Sequence, residues 1–388
     1  MANTSIPRWE FQELAAWLRL ALTPGIGNAA ARRLLARFGM PQTIFEAPLS
    51  TLQTCVGAQQ ATQLLQQPQG FSQALQNTWQ WLQKQDTVVA NALLVLGDPR
   101  YPDSLLHTAD PPLMLYVTGP RHKLERVEPL VDSQRSLAIV GSRNPTPQGA
   151  DNAYQFARHL AQQGWNIVSG LALGVDTAAH RGALDAEREG LLTVAVVGTG
   201  MDHVYPRQNQ ALAQRLVQHG LIISEFPLGT PPLAGNFPKR NRIISGLARG
   251  TLVVEAALAS GSLTTARTAS EQGREVFAIP GSVHSPQTKG CHALIKQGAK
   301  LVEHVQDILD ELTVPRPAAL LQPPITTTAP SQMHPLLDAM GYDPVYLDTL
   351  SARTGESTAH LQAQLLELEL DGWVERLPGG RYQRTAQT

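Results

Sequence analysis

At 388 residues the chain is long enough for two or three domains with cores of their own, and 43% hydrophobic with 16% charged residues is an ordinary globular composition. The formal net charge of -1 excludes general polycationic binding, so any grip on a polyanion has to come from a local patch. Two distant cysteines, Cys55 and Cys291, argue against a disulfide framework or a thiolate metal site, and no apolar run approaches the roughly 18 residues of a spanning helix. The expectation is a soluble cytoplasmic protein with no membrane contact.

Residues 1–86 read as a helical domain. Leu22-Thr23-Pro24-Gly25-Ile26-Gly27-Asn28 precedes AAARRLLARFG, a tight turn with Asn28 placed to cap the following helix. The pattern is that of a helix-hairpin-helix, whose turn presents N–H groups to phosphate, but a plain helical turn uses the same glycines. Twelve glutamines between Gln53 and Gln85 surround Phe71, Leu75, Trp79 and Leu82 at helical spacing, which makes them the wet face of an amphipathic helix. Residues 87–120, with short apolar runs broken by Gly and Pro, read as strands and turns.

From residue 136 the chain alternates strand, glycine loop and helix. LAIVG, NIVSG, TVAVVG, LIIS, TLVVE and EVFAIPG are near-continuous apolar strands, the signature of a mostly parallel sheet covered on both faces. Residues 87–312 are therefore expected to form an α/β, Rossmann-like, doubly wound domain. Residues 313–333, rich in proline, read as a linker. Residues 334–388 give two helices and a hairpin turning at Pro378-Gly379-Gly380, the order of a winged helix.

In an open parallel sheet, ligands bind beyond the carboxyl ends of the strands. Four strands end in loops suited to an anion: Gly141-Ser142-Arg143, the run from Ser169 and Gly170 to Gly174, Gly198-Thr199-Gly200, and Ser260-Gly261-Ser262. None is a GxGxxG, and no Walker loop is present, so a dinucleotide or NTP site is poorly supported. Between Glu225 and Glu255 there is no acidic residue, while Lys239, Arg240 and Arg242 stand together near the start of a helix read over 241–247. Cations oppose the dipole of a helix N-terminus, so the cluster reads either as an anion site or as a solvated basic turn. Phe237 beside it reads either as a base-stacking ring or as a core aromatic. A sugar-phosphate backbone crossing several strand ends fits these loops better than one compact nucleotide.

At these residues the chain resembles the DNA-processing protein A (DprA/Smf) family. The matching runs are AIVGSRNPTPQG, SGLALGVDTAAHRGAL, VVGTGMDHVYPRQN, residues 224–281 and GCHALIKQGAKLV, dense over about residues 95–305, with YPDSLLHTADPPLMLYVTG upstream. The flanks fit the family more loosely, as a helical SAM/HhH-like domain and a winged helix. The resemblance implies a non-catalytic protein without cofactor that binds single-stranded DNA, forms a homodimer, and hands the strand to the RecA recombinase past single-strand binding protein during natural transformation. It implies that Gly141, Ser142 and Arg143, with Phe237, Lys239, Arg240, Asn241 and Arg242, line the strand's pocket. Many relatives carry Lys or Arg in the loop after the second of these strands, where this chain has Leu173.

Two other classes compete. Related Rossmann enzymes hydrolyse nucleoside monophosphates with a carboxylate three residues after a Thr of the glycine-rich loop. After Thr264 and Thr265 those positions hold Arg267 and Thr268. Asp176 and His180, one turn apart, read as a local cap and a packed imidazole rather than a dyad. A duplex-reading regulator needs cations on its recognition helix, whereas residues 357–371 carry Glu367, Glu369 and Asp371 and no Lys or Arg. Arg376, Arg381 and Arg384 lie on the wing.

Overall fold

The computed structural model describes residues 9–84, 86–312 and 335–385. The expected linker at 313–333 lies outside the described residues. Six helices run from Phe11–Leu22 to Phe71–Gln83. Their apolar faces gather Leu14, Trp17, Leu34, Ile44, Leu64 and Leu75, and the same core continues into Leu93, Val95, Met114 and Tyr116 of the first two strands. The helical segment is thus seated on the sheet rather than tethered beside it. The Gln-rich stretch folds as expected, as Ala58–Leu65 and Phe71–Gln83, with its glutamines mostly at the surface.

The main sheet has nine strands: β1 (Val89–Val95), β2 (Met114–Pro120), β3 (Ser136–Val140), β4 (Asn166–Ser169), β5 (Thr193–Val197), β6 (Leu221–Ser224), β7 (Gly250–Val253), β8 (Glu275–Ala278) and β9 (Lys300–Leu301). Their spatial order is β1-β2-β6-β5-β4-β3-β7-β8-β9. β2 is antiparallel to both of its neighbours, while the pairs from β6 through to β9 are parallel. The chain starts at the centre with β3, steps outward to β6, then returns to the other side of β3 as β7. That reversal is a topological switch point, and it lies between β3 and β7.

The period-two alternation of each strand feeds two cores. Ala138, Val140, Val168, Val194 and Val196 face one side, where Ile243 and Ile244 of the helix Asn236–Gly246 and Leu247 just after it cover them. Leu137, Ile139 and Ile167 face the other, beneath Ala153, Phe156 and Leu160 of Pro147–Gln162 and Val175 and Ala179 of Val175–Leu184. Burial on both faces is what makes these strands uninterruptedly apolar.

The C-terminal unit has helices Pro335–Met340, Leu347–Thr354 and Thr358–Leu370. Its small sheet comprises β10 (Val345–Tyr346), β11 (Val374–Leu377) and β12 (Arg381–Arg384), in the order β10-β12-β11. Gly379 and Gly380 take φ of 84° and 74°, which the turn between β11 and β12 requires. This is a winged helix. Of the three wing arginines, Arg384 is buried, with its guanidinium 4.8 Å from the Tyr342 ring centroid.

Candidate functional site

A cleft of about 680 Å³ opens at the carboxyl edge of the parallel strands. The first turns of three helices reach it: Asp176 of Val175–Leu184, Phe237 and Pro238 of Asn236–Gly246, and Gly261 and Ser262 of Gly261–Glu271. Helix N-termini carry unpaired N–H groups and partial positive charge, so three of them around one opening favour an anion. The basic helix begins at Asn236, five residues earlier than the sequence pattern suggests. Pro238 falls in its first turn, where a missing N–H costs nothing.

The glycine loops that build the rim are locked together. The Ser142 N–H donates to the Glu255 carbonyl at 2.7 Å, and its own carbonyl accepts from the Val175 N–H at 3.1 Å. Gly174, with φ 79°, sits so close that a Cβ there would lie 2.4 Å from the Ser142 oxygen. Glu255 accepts from the Thr146 N–H at 2.9 Å and hydroxyl at 2.6 Å, and its burial pushes its carboxyl up. Its role is to hold the start of Pro147–Gln162 at the switch point.

Arg143, one residue beyond this anchored turn, is exposed and lines the cleft, its guanidinium 5.6 Å from the Phe237 ring centroid. Tyr205 also packs against Phe237, with ring centroids 5.7 Å apart. One cation and two aromatic faces thus meet at the mouth. Asn241, Ser260, Gly261 and Ser262 line the same space, and Gly141 forms part of its floor.

The remaining cations of the basic stretch are deployed differently. Arg240 is 5% exposed and donates to the Val196 carbonyl at 2.7 Å. It passes over Gly170, where a Cβ would fall 1.7 Å from its Nη1 and displace the buried guanidinium. Burial pulls the Arg240 guanidinium down to about 10, opposed by the attraction of Asp176 and reinforced by repulsion from Arg143. It stays charged at neutral pH. Asp176 accepts from the Gly170 and Ala172 N–H groups at 3.1 and 3.3 Å, bonding the preceding loop rather than capping its own helix. Burial raises its carboxyl despite the pull of Arg240. His180 is fully buried and donates from Nδ1 to the Thr193 hydroxyl at 2.7 Å, since that hydroxyl itself donates to Ile167.

Arg242 turns away from the cleft. It bonds both Glu225 oxygens at 2.5 and 2.6 Å and lies 3.2 Å from Asp110. Asn28 joins the cluster, donating to Asp110 and Glu225 at 3.1 and 2.9 Å. Asn28 is the first residue of its helix and does not cap it. Its amide ties the N-terminal hairpin to the sheet domain. Lys239 is exposed but outside the cleft lining. Ser169 bonds the Ile139 carbonyl inside the sheet, and Leu173 is 37% exposed.

The family model for DNA recombination-mediator protein A matches residues 92–313, more than half of the chain, and that for the DprA winged helix domain matches 318–380. Protein Smf of Escherichia coli K12 is 39% identical over 373 residues, covering 94% of both chains. The chain belongs to the DNA-processing protein A family. Within this DprA/Smf family it is 44% identical over 214 residues to DprA of Streptococcus pneumoniae, covering 55% of this chain and 72% of that one. The solved DprA structure from Streptococcus pneumoniae superposes with a TM-score of 0.64 at 33% identity, over 79% of this chain and 99% of that one. DNA processing protein A from Helicobacter pylori, whose structure is described for its single-stranded DNA binding mode, gives 0.50 at 31% identity, over 57% and 95%.

Sequence reasoning on this DprA/Smf chain missed Tyr205. Its only signal was a Tyr-Pro pair closing the glycine loop after β5, with nothing to say that the loop folds back onto Phe237.

Proposed function

We propose that this protein binds single-stranded DNA across the carboxyl edge of its sheet and delivers it to the RecA recombinase, without chemistry of its own. The observation that carries the reading is the meeting of the exposed Arg143 guanidinium with the Phe237 and Tyr205 rings, at an opening edged by three helix N-termini. Cations and N–H groups suit phosphates, and aromatic faces suit any base, so binding is sequence-tolerant and salt-sensitive. Relatives described as DNA processing proteins, one of them for its single-stranded DNA binding mode, support the same reading.

With Arg240, though at the cleft wall, bonded to Val196 and Arg242 bonded at the junction, Arg143 in the cleft and Lys239 beside it are the cations left for phosphate. Log K against log salt then has a slope near -1.4 per protomer, from about 0.7 per contact, rather than the roughly -3 of four free cations. Fluorescence anisotropy of labelled oligo-dT over a salt series tests this. Phe237→Ala weakens binding at least about fivefold, a lost base stack, and Arg143→Ala flattens the slope by about 0.7. Unchanged binding by both folded variants sinks the reading.

Delivery to RecA is read separately. On a strand coated with single-strand binding protein, the wild type shortens the lag of RecA's DNA-dependent ATP hydrolysis and Phe237→Ala does not. An unaltered lag removes the recombinase from the proposal. Two protomers on one strand would raise avidity, and sedimentation tests the homodimer. The competing nucleoside-monophosphate hydrolase predicts release of free base. Among the described residues, the carboxylate lining the cleft is Asp176, already engaged by two N–H groups.

A further inference from the structure

The opposite edge of the sheet carries a second concavity. It has a volume of about 270 Å³ and gathers cations from separate segments: Lys123 and Arg126 after β2, Arg135 just before β3, and Arg188 in the loop leading to β5. Asn166, at the start of β4 and 6% exposed, is part of its wall. Among the described residues none of these four cations is within ion-pairing distance of a carboxylate, in a chain whose acids and bases nearly balance. Two acids also line the site. Asp132 is occupied in part by the Gln134 N–H at 3.0 Å, and Glu128 is exposed.

The arrangement is built rather than incidental. Glu187 takes φ 51°, a conformation non-glycine residues adopt uncommonly, just before Arg188. Arg188 is then pinned by two carbonyls, Glu189 at 3.1 Å and Ala161 at 2.9 Å. Gly164, with φ 93°, leaves room for Arg135 beside it: a Cβ there would lie 3.2 Å from one Arg135 nitrogen and 3.9 Å from one of Arg188. Arg188 is thus held with part of its fork uncommitted, beside an Arg135 guanidinium free to turn toward the same oxygens, an arrangement that suits phosphate. Lys123 feels the crowding: burial first, then the charges of Arg126 and Arg188, lower its pKa, against a smaller opposing pull from Glu128. A bound anion would relieve that repulsion.

We propose that this pocket is a second phosphate-binding site that holds the backbone of a nucleic-acid strand leaving the cleft. Arg126 and Arg135 are exposed on its rim, which keeps it open to a polymer rather than closed over a small ion. β4 alone, from Asn166 to Ser169, separates the two edges by roughly 13 Å at 3.3 Å per residue, so a strand reaching both has to wrap the domain. The proposal extends the single-stranded DNA reading and rests on it for the polymer's identity.

The test uses the full chain and Arg126→Glu/Arg135→Glu, two side chains with no hydrogen-bonded side-chain partner among the described residues. Two oligo-dT probes are compared, a short one of about 6 nucleotides that fills one site and a long one spanning several such lengths. The expected result is unchanged short-probe affinity, roughly tenfold weaker long-probe affinity, and a long-probe salt slope shallower by about 1.4. Long-probe binding equal to wild type overturns the proposal, as does equal weakening of both probes, which would make the rim a source of general field. Thermal stabilisation by inorganic phosphate that the variant abolishes, with long-probe binding intact, overturns it in favour of a small anion. If charge reversal unfolds the protein, Arg126→Gln/Arg135→Gln reads the same contrast. Arg143→Ala run alongside separates the two sites: loss of short-probe binding there with no rim effect upholds the cleft and rejects the second site.

Discussion

At the scale of single residues, the basic stretch divides into cations that are free and cations that hold the fold. Arg240 is buried over a glycine, caps the Val196 carbonyl and balances Asp176. Arg240→Ala leaves a buried carbonyl unpaired and a buried carboxylate without its cation, and costs about 3 kcal/mol or more by chemical denaturation. A variant as stable as wild type contradicts that role. The same pocket makes His180 a pH-dependent element. Burial first, then Arg240, hold its imidazole at about 3, below its usual 6.5. The unfolded chain therefore binds the extra proton as pH falls from 6.5 toward 3, and stability is lost over that window, at up to about 1.4 kcal/mol per pH unit. Asp176, with its carboxyl raised, acts in the opposite sense, but it is common to wild type and variant. His180→Asn is expected to lose less stability between pH 7 and pH 5 than wild type does, as read by melting temperature; parallel acid profiles would refute it. His180 was legible in the sequence as a packed imidazole, as found, but the burial of Arg240 beside it was not. Lys239, Arg240 and Arg242 are near neighbours in the chain, and only the helical turn between them sends one to solvent, one to the core and one to an acidic pair.

At the scale of elements, the sequence marked the strands and glycine loops well, because two-sided burial enforces apolar runs and close approach enforces glycine. It placed the basic helix late, since a proline in a first turn looks like a boundary. It also left the hairpin at 22–28 open between phosphate binding and packing. The structure docks that hairpin on the sheet domain, with Asn28 and Arg242 meeting at Asp110 and Glu225, while within the helical segment the Gly25 carbonyl accepts from Gln60 at 2.7 Å. Arg242→Ala is therefore expected to lower the melting temperature by several degrees and to hasten proteolysis within residues 9–84, while changing short oligo-dT affinity less than twofold. A large affinity loss with the junction intact would return Arg242 to the DNA.

At the scale of the whole molecule, the winged helix presents an acidic reading helix. Leu366 and Leu370 are 57% and 80% exposed beside Glu367 and Glu369, and one of its three wing arginines is buried under Tyr342. That surface repels a phosphate backbone. Removal of residues 335–388 is expected to leave short oligo-dT affinity within about twofold of wild type, with a collapse in affinity counting against the cleft as the main site.

The sequence by itself determined the class of the fold and the order of its units, and it pointed to the sheet edge where the cleft lies. Those depend on hydrophobic period and on glycine at fixed offsets, both of which are local. Only the tertiary structure decided which charges are available. It put Tyr205 against Phe237, committed Arg240 and Arg242 to the interior and to a junction, and gathered Lys123, Arg126, Arg135 and Arg188 from distant segments into one pocket. Whether a cation serves the fold or a ligand depends on which groups lie across from it in space, and those lie tens of residues away in the chain.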